Sequence, residues 1–232
     1  MSLARYLSKL GAMLGSDGKV PQAAMANDAP LGLKSMQVFS TAGTFTWTKP
    51  VGIRKVKVIV TGGGGGGGST DNDDQAAGGG AGATAIKLID VSSVSSVSVT
   101  VGAGKTGNTN GQSNAVVYGN ASSFGAYCTA GGGANSGGQW SIGGYGGNAS
   151  GGDVNIPGGD GCGGSIDVNA YTLLAAGTGG ASYWGSGGAG NIRNNAGLGR
   201  NGRAPGSGGG GGAISTSSMN GADGIVIVEE YA

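Results

Sequence analysis

The chain has 232 residues, of which 57 are glycine, and its 13 lysines and arginines nearly balance 12 aspartates and glutamates. A net charge of +1 gives no electrostatic pull toward nucleic acid or an anionic membrane, and the absence of histidine excludes Ser-His-Asp and Cys-His catalysis and the common zinc ligand sets. With 11% charged and 38% apolar residues, the chain lacks the low hydrophobicity and high net charge of a disordered segment.

Residues 1–35 read as one unit, a short N-terminal α-helix and a linker. Leu3, Leu7, Leu10 and Leu14 recur at 4-3-4 spacing, which is a helical seam. Ser2 is placed to cap it and Gly15 to end it. A helix this short does not hold alone in water. The leucine stripe therefore needs a partner, either a neighbouring copy or a socket on a larger particle. Asp17-Gly18, Pro21 and Pro30 mark the remainder of this segment as turn-rich. Arg5 and Lys9 interrupt the apolar core that a secretory signal would need, and no run of about 18 apolar residues predicts a transmembrane helix.

Residues 36–232 read as a second, mainly β unit. Gln37–Ser40 and Thr44–Thr48 carry Phe39, Phe45 and Trp47 at alternate positions, with Gly43 at the turn between them. In Ile53–Thr61, Val56, Val58 and Val60 alternate with Lys55 and Lys57, the pattern of a half-buried strand. The same signal recurs at Ala85–Ile89, Val97–Val101, Val116–Tyr118 and Ile225–Glu229. These predict a small antiparallel β-sandwich whose last strand is the C-terminus.

Glycine fills the intervals, with runs at Gly62–Gly68, Gly78–Gly80, Gly131–Gly133 and Gly208–Gly212. Between 131 and 164, Gly131, Gly137, Gly143, Gly146, Gly152, Gly158, Gly161 and Gly164 stand multiples of three apart. A period of three is that of a polyproline-II helix, which leaves its amides unsatisfied internally. Once buried, those amides need partners, and chains without side chains approach closely enough to bond one another. The expected architecture is a sandwich base bearing a glycine-rich, polyproline-II-like layer. Glycine's large entropy loss on folding makes oligomerisation a further source of stability, with a trimer favoured.

No sequence motif supplies chemistry. Asp71-Asn72-Asp73-Asp74 has carboxylates at alternate positions but no following bidentate glutamate for calcium. Gly102-Ala103-Gly104-Lys105-Thr106 ends like a phosphate loop but lacks its first glycine, since position 99 is Val99. Arg193, Arg200 and Arg203 are not interleaved with aromatics as in glycine–arginine RNA binders. Asp153, Asp160 and Asp167 are depolymerase carboxylates only by default. Cys128 and Cys162 are too few for a disulfide framework and read as free thiols, with one bridge left open. No metal, cofactor or nucleic acid is expected. The glycine-flanked loops, however, carry Trp140, Tyr145, Tyr171, Tyr183 and Trp184, with Asn155 and Asn194 among their asparagines. Aromatics give large contact area at low entropic cost and asparagines give adaptable hydrogen bonds, so this set is the candidate receptor-binding surface.

Phe45–Thr61 followed by Gly62–Gly68 resembles the opening of the glycine-rich domain of bacteriophage tail-fibre and tail-tip proteins. Ser98–Gly104 resembles its middle strand and Gly221–Tyr231 its closing strand, so the resemblance covers about residues 37–232. In style it extends to the adhesins of T-even-type phages, with glycine-rich helices of the polyglycine-II kind and variable loops that carry specificity. The resemblance implies a non-catalytic virion component, assembled in the host cytoplasm, that recognises a bacterial surface glycan or outer-membrane protein. Leu3, Leu7, Leu10 and Leu14 would then serve attachment to other virion proteins or oligomerisation. The alternative is a structural virion protein, a capsid decoration or tail-tip component.

Overall fold

The computed structural model describes residues 32–69, 76–108, 116–136, 142–165, 175–192, 199–212 and 218–232. The predicted N-terminal helix, with Leu3, Leu7, Leu10 and Leu14, lies outside them, and so do Trp140, Tyr171, Asn194 and the 71–74 acidic cluster.

Among the described residues there are ten strands and no helix. The strands are β1 (Leu33–Phe39), β2 (Gly43–Thr48), β3 (Lys55–Thr61), β4 (Thr84–Asp90), β5 (Ser96–Val101), β6 (Ser122–Phe124), β7 (Cys128–Ala130), β8 (Ala149–Ser150), β9 (Val154–Ile156) and β10 (Ile225–Tyr231). They form two five-stranded antiparallel sheets, ordered β1-β10-β3-β4-β9 and β2-β5-β6-β7-β8. The alternation of valines decides the inner faces. Val56, Val58 and Val60 of β3 and Val226 and Val228 of β10 meet Val97, Val99 and Val101 of β5 in one core with Trp47 and Phe124. The Trp47 and Phe124 rings pack at a tilt of 58° with 5.7 Å between centroids. Adjacent β1 and β2 do not pair: β1 joins β10 and β2 joins β5, so the chain crosses between sheets at residues 40–42.

One carboxylate is fully buried in this base. Glu230 of β10 accepts hydrogen bonds from Ser35 Oγ of β1, from Gln37 Nε2 of β1 at 2.7 Å and from Trp47 Nε1 of β2 at 2.7 Å. Charge-assisted bonds of this kind are stronger than neutral ones. They tie the edge of one sheet to the other at the sandwich's open end.

Where the chain leaves the sandwich it makes no sheets. Twelve stretches among the described residues, 62–68, 76–83, 102–108, 116–120, 131–136, 142–148, 157–163, 175–181, 186–192, 199–203, 206–212 and 218–224, run away from the strands and back, bonded to one another through backbone amides. The bonds recur every third residue. Gly62, Gly65 and Gly68 donate to the carbonyls of Ala83, Gly80 and Ala77. Gly64 and Gly67 donate to Ala222 and Met219, and Gly63 donates to Asn120. The carbonyls of 62–68 accept from three other stretches, through Gly133 and Ser136, Lys105 and Asn108, and Gly209 and Gly212. This single stretch thus has six bonded neighbours.

Stretches 76–83 and 206–212 are surrounded in the same way, and with 62–68 they bond mutually, each to the other two. The remaining nine close a ring around this triangle. In order around it they are 102–108, 116–120, 131–136, 142–148, 157–163, 175–181, 186–192, 199–203 and 218–224, which bonds back to 102–108 through Gly221 and Gly224. The arrangement explains the composition. A stretch with neighbours on all sides has no room for side chains beyond a methyl or hydroxymethyl, and all described residues of the central three are Gly, Ala or Ser and buried. A ring stretch faces outward once in three residues, and Ile142, Tyr145 and Asn148 stand exposed at that spacing between pairs of glycines. Among the described residues, the central stretches find their bonded neighbours within the one chain.

The predicted strand at Val116–Tyr118 is replaced by a stretch of this ring, with one isolated bridge from Tyr118 to Ala134. The short strands β6 to β9 were not foreseen. Each has only two or three residues, too few to show alternation.

Candidate functional site

Because the stretches alternate in direction, the six breaks between described segments all fall at the end away from the sandwich. The other connections lie at the sandwich end. This places the predicted contact residues apart. Tyr145 is midway along 142–148, on the side of the bundle, and is 59% exposed. Asn155 lies in β9 at the edge of a sheet, where its side chain exchanges bonds with the Gly152 backbone and closes the β8–β9 turn. Tyr183 and Trp184 sit in the turn between 175–181 and 186–192, bridged by Ser182 and Gly185, at the sandwich end. Trp184 donates from Nε1 to Thr61 Oγ1 at 2.9 Å, while the Tyr183 ring meets it edge-on at 5.0 Å and stays half exposed.

Of the carboxylates considered for glycan cleavage, Asp167 lies outside the described residues and the other two are engaged by backbone amides. Asp153 accepts from Leu88 N–H at 2.8 Å and Asp160 from Gly146 N–H at 2.7 Å. Cys128 is buried and Cys162 exposed, and both are free thiols. Burial pushes the Cys128 thiol up to about 11.

A more coherent site forms around Tyr145. Stretch 131–136 lies between 116–120 and 142–148 on one side of the ring. Ala134 is the bridge partner of Tyr118 on one side and donates to the Tyr145 carbonyl at 2.8 Å on the other. The two tyrosines therefore stand level with each other across a floor of bare backbone. They line a groove of about 550 Å³ with Ala121, Gly131, Gly132 and Asn148. Tyr118 is 52% exposed, so both rings are open to solvent. Gly132 is buried in the floor, packed against the backbone of Gly119. Among the described residues, no charged side chain lines the groove.

Tyr118 was missed by sequence reasoning, which assigned it to a strand, and Asn148 was one of several loop asparagines expected to supply hydrogen bonds, not singled out. The signal for Asn148 was available in Ile142-Gly143-Gly144-Tyr145-Gly146-Gly147-Asn148, in which every third residue carries a side chain. Tyr118 has no such frame, because its position depends on the pairing with Ala134.

A family model described as a glycine-rich domain matches residues 40–231. The chain belongs to this family. The match of this glycine-rich domain opens just after β1 and closes at the penultimate residue, so it takes in the other nine strands and the twelve described stretches of the glycine bundle. No curated protein matches the chain.

Proposed function

We propose that this glycine-rich domain is a non-catalytic receptor-binding module, carried at the tip of a phage tail fibre or as an adhesin on it, that attaches the virion to a bacterial surface. The observation that carries this reading is the level pair of exposed tyrosines on a backbone floor. Aromatic anchors held on a rigid support lose little entropy when they bind, and the floor beneath them is tied down by amide bonds on both sides. The three-residue repeat of those bonds supports polyproline-II-like helices, which turn once in three residues, stacked as a layer on the sandwich.

In this reading the segment before β1, through the leucine seam at Leu3, Leu7, Leu10 and Leu14, joins the module to other virion proteins or to further copies. The test is direct. Fluorescently labelled full-length chain, applied to a panel of bacterial strains, is expected to label the cells of some and not others. Failure to label any strain, together with capture by purified virion proteins, would favour the alternative of a structural tail-tip or capsid component.

A further inference from the structure

We infer that the Tyr118–Tyr145 groove binds an uncharged glycan, a neutral pyranose laid between the two rings over the glycine floor. The inference rests on the receptor-binding reading and specifies its ligand. Three observations point to this chemistry. First, spacing: hydrogen-bonded extended chains stand about 5 Å apart, so stretches 116–120 and 142–148, two steps apart across 131–136, hold the tyrosines roughly 10 Å from each other at backbone level. A flat six-membered ring fits that interval, whereas a folded protein surface would have to insert a narrow loop.

Second, the lining combines aromatic faces with polar edges. The axial C–H bonds of a pyranose are weakly electropositive and suit the electron-rich face of a tyrosine. Its hydroxyls find the two phenol groups and the Asn148 amide. Third, none of the described residues that line the groove carries a charged side chain. A sialic or uronic acid would lose hydration there without gaining a cation, so the groove discriminates against acidic sugars by leaving their charge unpaired.

The experiment uses the full chain and saturation-transfer NMR with methyl glycosides of glucose, galactose, mannose, N-acetylglucosamine and glucuronic acid. Transfer to at least one neutral glycoside is expected, with none to the glucuronide and little change on raising the salt concentration. Tyr118→Ala and Tyr145→Ala should each weaken that binding about tenfold, with unchanged melting temperature because both rings are exposed. Tyr145→Phe should keep most of it, since stacking survives. The inference is overturned by transfer to no neutral glycoside, or by binding undiminished in the double alanine variant.

Cells separate this inference from the reading beneath it. For any strain the chain labels, periodate oxidation of surface sugars should abolish labelling and protease treatment should not. The opposite result would make the receptor a protein, leaving the adhesin reading intact and the glycan inference dead. Glycoside binding without labelling of any strain would do the reverse.

Discussion

A methyl carbon placed on Gly65 would lie 1.9 Å from the carbonyl oxygen of Ala134, and the obstruction is backbone, which cannot swing aside as a side chain does. Relief requires two bonded stretches to part, and because 62–68 has neighbours all round, the displacement passes to the others. Gly65→Ala is expected to cost more than the roughly 1–3 kcal/mol of an ordinary overpacked core. Gly159→Ala, whose new carbon would meet Ala181 at 2.9 Å on the ring, should cost much less. Thermal denaturation of the two variants checks this, and equal losses would show that the interior is not packed on its backbone. A second residue-scale expectation concerns Cys128. Burial raises its thiol from the ordinary 9.0 to about 11, so the unfolded chain ionises first. This contribution to stability is whole below pH 9.0 and is lost as pH rises toward about 11, at about 1.4 kcal/mol per pH unit. Cys128→Ala should flatten that part of the pH–stability curve. In the native protein at neutral pH a thiol reagent should modify exposed Cys162 and spare Cys128.

At the scale of elements, the turn carrying Tyr183 and Trp184 looked from the sequence like part of the contact surface, and its composition still fits such a role. Position gives Trp184 another function. Its indole N–H bonds Thr61, the last residue of β3, and Thr61 in turn bonds Thr84 at 2.8 Å, so the turn fastens two ring stretches to the first sheet. Trp184→Ala is expected to lower stability by about 1–3 kcal/mol through the lost bond and packing. It should leave groove binding unchanged in the remaining folded protein. Loss of binding at full stability would return Trp184 to the contact surface. The contrast shows which elements a sequence makes legible. The long strands β3, β5 and β10 were readable because two-residue alternation against a greasy core survives over six or seven positions. The ring stretch 142–148 was partly readable because glycine pairs alternate with single side chains. The partners of each stretch were not, because glycine carries no side-chain information about which neighbour it meets. The groove depends on such a pairing, and so only one of its two tyrosines was found.

For the whole molecule, the main question is what replaces a hydrophobic core in the half without one. The valines, Trp47 and Phe124 account for the sandwich. Above it, burial of glycine and alanine yields little apolar area, and each ordered glycine carries the largest backbone entropy cost of any residue. What remains is amide bonding, and its density is the distinguishing feature: each of the three central stretches is bonded on six sides, so opening one requires breaking its bonds to all of them. Such a lattice should unfold as a unit and not fray stretch by stretch. Native-state hydrogen exchange is therefore expected to be slowest at 62–68, 78–82 and 208–211, with protection approaching that of β3 and β10, and faster at Tyr145 and other outward ring positions. If the central stretches instead exchanged like their solvent-facing neighbours while the sandwich remained protected, the amide lattice would not be holding the upper half together. The level placement of Tyr118 and Tyr145, which depends on the bonds to Ala134, would then have no rigid support.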